Sequence, residues 1–162
     1  MDSHGTATIS KQHRKQVVDF AMEQVGKRYV FGDAGPDTWD CSGLAMVAWQ
    51  RADVELAHYT VTMAGGPGDF VHGKIAGSVT EWLPATKRNR HMLLPGDLVF
   101  YYGVRAPEHV AMIQKVTDLT DDEGTVIGHR WWIVQATDEQ HGVESDLRMH
   151  VYGYPSGFGL IR

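Results

Sequence analysis

Helical patterns precede strand patterns in this chain, and that order restricts its fold more than any other feature of the sequence. Ser10 can cap a helix that runs to about Gly26, and Asp40 can cap a second helix that runs to about Arg51. Beyond residue 94 the patterns are those of strands divided by turns, at 98–102, 109–116, 131–137, 143–151 and 158–161. This order predicts an α+β fold in which N-terminal helices pack on a central antiparallel sheet.

The 162 residues are a typical length for one domain. We expect residues 1–9 to form a flexible tail and residues 10–162 a single domain, because no repeat or linker divides the chain. Residues 63–78 have the composition of a loop, and residues 118–128 predict an acidic hairpin tip. The apolar face of the first helix is expected to comprise Val17, Phe20, Ala21, Met22 and Val25.

Charge and composition argue against several classes of protein. The net charge of −5 and the absence of a basic face argue against nucleic-acid binding, and the short basic run at 87–91 is interpreted as a solvated loop. No apolar run approaches the roughly 18 residues of a membrane span. The first residues lack the features of a signal peptide, so we expect delivery to the cell wall or periplasm by a route not encoded here, or a cytoplasmic location. Neither zinc-ligand spacing nor the twelve-position calcium loop is present, and no metal is expected.

Cys41 is the single cysteine of the chain and the first candidate for chemistry. It is expected in the first turn of the second helix, where unpaired N–H groups favour a thiolate and can bind an oxyanion. Asp40 opposes the thiolate by its charge, so a nearby protonated histidine would be needed. Gly43 is interpreted as leaving room for a substrate backbone. A buried structural thiol is the alternative.

His109 is the strongest candidate base among nine histidines, because it opens a strand directly after a turn. Gln135 shares a strand face with Trp131 and Ile133 by alternation, and a glutamine on an apolar face suggests a specific partner. Its alternative is a glutamine at the edge of the core that bonds to backbone, with His141 or another group orienting the base.

Four segments follow one another along the chain: D-C-S-G-L at 40–44, L-P-G-D-L-V-F at 94–100, H-V-A-M-I at 109–113 and I-V-Q-A at 133–136. Together and in this order they resemble the NlpC/P60 cysteine peptidases of bacterial cell-wall turnover. The upstream G-K-R-Y-V-F-G is similar to the same family, and the resemblance covers about residues 11 to 137. It implies a papain-like fold with the thiol on a helix and the base on a facing sheet.

The resemblance also implies roles for individual residues. Cys41 takes the position of the nucleophile, His109 that of the base, and Gln135 that of the residue that orients the imidazole. Tyr29 matches a tyrosine near the oxyanion, although a plain core aromatic is an equal alternative. Asp40 and Ser42 match positions that hold the amino end of the substrate.

The sequence departs from the family in three places. The third position of the triad is often a histidine in the family, and Gln135 supplies an uncharged acceptor instead. The interval of 26 residues between His109 and Gln135 is long, which an extended acidic hairpin would explain. L-A-H-Y-T at 56–60 replaces a Leu-Pro-Arg-like run, so substrate recognition on this side is open.

The expected function is hydrolysis of peptidoglycan stem peptides, by resemblance at the bond between D-γ-glutamyl and a diamino acid, without a cofactor. An amidase or acyltransferase on the same scaffold is the alternative, as is a binding module that has lost catalysis. A delivered antibacterial toxin and a phage component are further possibilities. A toxin would require delivery machinery and an immunity protein that covers the cleft.

Overall fold

The computed structural model describes residues 9–65, 76–102, 107–147 and 155–162. The helices are α1 (Lys11–Glu23), α2 (Cys41–Gln50), α3 (Thr60–Ala64) and a 3₁₀ helix (Lys87–Met92). The strands are β1 (Arg28–Tyr29), β2 (Thr38–Trp39), β3 (Glu81–Pro84), β4 (Leu98–Tyr102), β5 (Pro107–Thr120), β6 (Val126–Ala136), β7 (Val143–Leu147) and β8 (Gly157–Leu160). The predicted α+β class is confirmed.

Six strands form the main sheet, in the order β3-β8-β4-β5-β6-β7, and every described pair in it is antiparallel. The strands β5 and β6 form a long hairpin in which Met112 pairs with Val134 and Thr120 with Val126. Its turn occupies residues 121–125. The predicted acidic tip at 118–128 is therefore shorter than expected, because residues on both sides of the turn continue the two strands.

The helix α1 begins at its predicted cap and ends earlier than predicted. The Ser10 side chain accepts a hydrogen bond from the His13 N–H at 3.0 Å. The predicted apolar face of α1 is confirmed for Val17 and Ala21, which are buried. It is wrong for Val25, which is 43% exposed, because the helix has already ended. Gly26, beyond the end of the helix, adopts a φ of 96°, a backbone conformation that favours glycine.

The helices pack on one face of the sheet. Leu44, Ala48 and Trp49 of α2 belong to the same buried cluster as Met112 and Val134 of the long hairpin. A second cluster contains the alternate residues of the strands, including Ala111, Ile113, Trp131 and Ile133. The alternation that places Trp131 and Ile133 on one face is therefore confirmed, and α2 is fixed against β5 and β6.

Other elements also differ from the sequence expectation. Residues 63 and 64, predicted as loop, end the short helix α3, whereas residues 66–75 of the same predicted loop lie outside the described residues. The strand β3 carries Pro84 at its end and was not expected. The basic run at 87–91 forms a 3₁₀ helix rather than a loop, although most of its side chains are exposed.

The Asp97 side chain joins three distant parts of the chain at a fully buried position. It accepts hydrogen bonds from Arg14 at 3.2 Å and from Arg162 at 2.7 Å. The N–H groups of Leu94 and Ile161 also donate to it. The L-P-G-D segment therefore serves the fold, because its aspartate anchors α1 and the C-terminal residues to the sheet. Within the described part of the chain, no helix has the length and apolar character of a membrane span.

Candidate active site

Cys41 is the first residue of α2 and lies on a cleft with a volume of about 530 Å³. The described lining residues come from the loop before α2, from α2 itself, from the α3 region and from the start of β5. They are Tyr29, Phe31, Gly32, Asp40, Cys41, Ser42, His58, Tyr59, Thr60, Val61 and Glu108. The expected helix position of the thiol is therefore what the structure shows, and a substrate can reach it from solvent.

The surroundings of the Cys41 thiol disfavour its charged form. Burial is the largest influence and raises the pKa of the thiol, and the charge of Asp40 raises it further. Backbone N–H groups of Val110 and Ser42 and the Thr60 hydroxyl, 3.7 Å from Sγ, act in the opposite direction. The expected lowering of the thiol pKa by the helix N-terminus is outweighed, because desolvation of the thiolate is the larger effect.

Asp40 holds the loop before α2 and the segment before α3 together. Its Oδ1 accepts hydrogen bonds from the Gly43 N–H at 2.6 Å and the Ser42 hydroxyl at 3.4 Å, and lies 2.9 Å from His58 Nε2. Its Oδ2 accepts from the Gly32 N–H at 2.9 Å. The aspartate is therefore the predicted N-cap of α2, and it also fixes both walls of the cleft.

His109 and Gln135 meet at a buried position on neighbouring strands. The His109 Nε2 lies 2.6 Å from Gln135 Oε1, and the two residues are 1% and 2% exposed. The alternative orienting group, His141, instead lies 2.7 Å from Asp138 on an exposed turn. The polar partner that the sequence suggested for Gln135 is therefore the imidazole of His109.

The His109 imidazole is neutral at physiological pH. Burial lowers its pKa to about 4, while the hydrogen bond with Gln135 and the charge of Asp138 act in the opposite direction. Since burial also raises the pKa of the Cys41 thiol, both groups are uncharged at neutral pH. The protonated histidine expected beside Cys41 is therefore not the resting form.

Two other expectations are answered by contacts in the cleft. Tyr29 lines the cleft and also packs against the main core cluster, so the two interpretations of it are compatible. A Cβ at Gly43 would lie 2.4 Å from the Asp33 carbonyl oxygen and 3.0 Å from His58 Nε2. Gly43 is therefore required by the protein's own packing, and the interpretation that it makes room for substrate is wrong.

Sequence reasoning assigned no role to His58, Thr60 or Glu108, all of which line the cleft. His58 and Thr60 belong to the L-A-H-Y-T segment at 56–60, and the departure of this segment from the family pattern was the signal that could have indicated them. Glu108 directly precedes His109, but an exposed carboxylate beside a turn has no distinctive pattern. In the part of the chain that the structure describes, no group of three or more His, Cys, Asp or Glu side chains is arranged to hold a metal ion.

The model of the NlpC/P60 family matches residues 26–148, which is most of the chain. The chain belongs to the NlpC/P60 family. Solved NlpC/P60 structures share the fold: the NlpC/P60 domain of the peptidoglycan hydrolase SagA has a TM-score of 0.59 at 17% identity, covering 91% of this chain and 98% of that one. The P60 domain of a Mycobacterium avium subspecies paratuberculosis antigen has a TM-score of 0.60 at 18% identity, covering 93% and 96%.

Two curated relatives match this chain over shorter segments than the family model does. A protein of Mycobacterium tuberculosis named "Probable endopeptidase" is 45% identical over 53 residues, which are 33% of this chain and 14% of that protein. "Probable endopeptidase p60" of Listeria grayi is 30% identical over 84 residues, or 51% and 13% of the two chains. The matched segments thus span only about one seventh of the length of these relatives.

Proposed function

We propose that this chain is a cysteine endopeptidase that hydrolyses peptidoglycan stem peptides at the bond between D-γ-glutamyl and a diamino acid. Membership of the NlpC/P60 family and the similarity to two proteins named as endopeptidases support a peptidase of the cell-wall hydrolase kind. The observation that carries the cysteine mechanism is the position of Cys41. Its thiol lies at a helix N-terminus on the cleft and against the Val110 backbone, directly after His109.

Catalysis in this proposal begins from the neutral pair of thiol and imidazole. Because Gln135 Oε1 accepts a hydrogen bond from His109 Nε2, the neutral ring carries its proton on Nε2, and Nδ1 is the basic nitrogen. The Nδ1 atom takes the thiol proton as Sγ attacks the amide carbonyl carbon.

The tetrahedral intermediate carries its negative charge on the former carbonyl oxygen. Backbone N–H groups in the first turn of α2 stabilise this oxyanion, and Tyr29 lines the same cleft. Collapse of the intermediate breaks the C–N bond, and the imidazolium of His109 gives its proton to the leaving amine. Water, deprotonated by His109, then attacks the thioester and releases the acid product and the thiol.

The test is a digest of purified bacterial sacculi with the wild-type protein and with Cys41→Ala. Mass spectrometry identifies the soluble products. Stem peptides cut after the γ-linked glutamate by the wild type alone support the proposal. Free intact stems would instead identify an amidase. No product from several wall types would contradict hydrolysis of the wall.

A further inference from the structure

The charge of the cleft has one sign among its described lining residues. Asp40 and Glu108 both contribute carboxyl groups to it, and no described residue that lines it is a lysine or an arginine. The fixed charges among the described lining residues are therefore negative, and carboxylates attract positively charged groups and repel anions. The substrate group that this part of the cleft recognises is therefore expected to be a cation.

Asp40 is already occupied by the protein itself. Its Oδ1 is contacted by Gly43, Ser42 and His58, and its Oδ2 by Gly32, so most of its acceptor capacity is used. Glu108 is exposed and makes no hydrogen bond or ion pair with any described residue. Of the two carboxylates, Glu108 is the one that is able to pair with a ligand.

Exposed aromatic rings lie on the same cleft. Phe31 is 84% exposed and Tyr59 is 60% exposed, although large apolar side chains are usually better covered. Each aromatic residue is next in sequence to a residue that contacts the Asp40 carboxylate. Phe31 precedes Gly32, whose N–H donates to Asp40, and Tyr59 follows His58, whose Nε2 lies 2.9 Å from Asp40 Oδ1. The two rings are therefore carried on anchored backbone. Aromatic faces beside a carboxylate are a typical environment for an ammonium group.

We propose that Glu108, with the rings of Phe31 and Tyr59, forms a subsite for the side-chain ammonium of the diamino acid. The assignment rests on the proposed function, in which His109 protonates the leaving amine. Glu108 directly precedes His109 on β5 and lines the same cleft as Cys41. Because His109 approaches the leaving amine in the proposed reaction, we assign the neighbouring Glu108 to the side of the leaving group, which is the diamino acid. Its second amino group is the cation that the substrate brings to this side.

Binding to the Cys41→Ala protein tests the subsite without turnover. The probes are three forms of the peptide L-alanyl-γ-D-glutamyl-L-lysyl-D-alanine: one with both amines free, one acetylated on the lysine side chain, and one acetylated on the N-terminal amine. Each is titrated by calorimetry at low salt into Cys41→Ala and into the same protein with Glu108→Gln. Glu123→Gln is the matched control, because Glu123 is an exposed carboxylate on the distant β5–β6 turn.

We expect side-chain acetylation to weaken binding by about threefold to tenfold, the range of a partly exposed charge pair with cation–π support. Glu108→Gln should remove this difference, and Glu123→Gln should retain it. The proposal is overturned if side-chain acetylation has no effect or if the effect survives Glu108→Gln. It is also overturned if Glu108 responds to the N-terminal amine instead, or if none of the peptides binds.

Cleavage by the wild-type protein separates this inference from the function on which it rests. A wild-type protein that cleaves the free peptide, with no loss on side-chain acetylation in the binding assay, would disprove the subsite alone. A Cys41→Ala protein that prefers the free side-chain amine, with no cleavage by the wild type, would disprove the peptidase and retain the subsite.

Discussion

The Nε2 atom of His109 lies 2.6 Å from the Oε1 atom of Gln135, and both side chains are almost fully buried. The Gln135 Nε2 atom has no hydrogen-bond partner among the described residues, so the amide is held mainly through its oxygen. A neutral amide fixes the tautomer and the orientation of the ring without adding charge. The consequences for catalysis differ from those of a charged third residue and are open to measurement.

Gln135→Leu should lower kcat by about 100-fold, the lower end of the range of general acid–base catalysis, and leave KM nearly unchanged. Gln135→Glu should restore much of kcat and move the acid limb of the pH profile to higher pH, because a carboxylate stabilises the imidazolium. The rate of release of stem peptides, followed as a function of substrate concentration and pH, measures both variants. Equal kcat in wild type and Gln135→Leu would show that the glutamine does not position the base.

Burial of His109 makes the stability of the fold depend on pH. The pKa falls from its ordinary value of 6.5 to about 4 on folding, so the unfolded chain binds more protons between these values. Stability from this group is fully present above about pH 6.5 and is lost as the pH falls toward 4, by about 3 kcal/mol in all. Urea unfolding at pH 7 and pH 5 measures it. The free energy of unfolding should change less between the two pH values in His109→Asn than in the wild type. An equal change in both proteins would refute the lowered pKa of His109.

The raised pKa of Cys41 predicts slow alkylation at neutral pH. Iodoacetamide reacts with the thiolate, so the rate should keep rising above about pH 10, where an ordinary thiol with a pKa of about 8.5 is almost fully ionised. Thr60→Val removes the hydroxyl 3.7 Å from Sγ and should slow the reaction at pH 8 by a few-fold. Because the chain has a single cysteine, mass spectrometry reports this site alone. The urea-unfolded protein is the reference, and a rate that levels off below about pH 10 would contradict the prediction.

The elements that sequence analysis found are those with strong local signals. Ser10 and Asp40 cap their helices as predicted, because each side chain accepts a backbone N–H within the next three residues. The strand patterns of β4, β5 and β6 were recognised from apolar runs bounded by turns. The partnership of His109 with Gln135 was also accessible, because a glutamine on an apolar face requires a polar partner.

The elements that were missed depend on contacts between distant residues. The short strand β3 pairs with β8 near the C-terminus, about 75 residues away, and its own four residues carry little local preference. The role of His58 depends on its approach to Asp40, which spacing along the chain does not show. The balance of the thiol pKa was also misjudged, because burial is a property of the whole fold.

Gly43→Ala should damage the fold and the cleft together. The added methyl group would lie 2.4 Å from the Asp33 carbonyl oxygen and 2.9 Å from Asp40 Oδ1, both of which are held in place. We expect the free energy of unfolding to fall by about 1–3 kcal/mol, the usual cost of overpacking. The control is Gly128→Ala, where the nearest atom would be 3.7 Å away on Leu119. Equal urea midpoints for the two variants would contradict this packing argument.

Asp97→Asn should be the most destabilising of these substitutions, although the residue lies away from the thiol. The carboxylate is fully buried, and its neutralisation leaves the guanidinium of Arg14, only 4% exposed, without the opposite charge that compensates its burial. Burial already lowers the pKa of Arg14, and Asp97 opposes that effect. Removing one partner of a buried pair costs about 3–5 kcal/mol. Asp19→Asn breaks the exposed pair with Lys15 and should change stability by at most about 0.5 kcal/mol. Chemical denaturation of the two variants measures the contrast, and similar losses in both would show that the Asp97 network does not stabilise the fold.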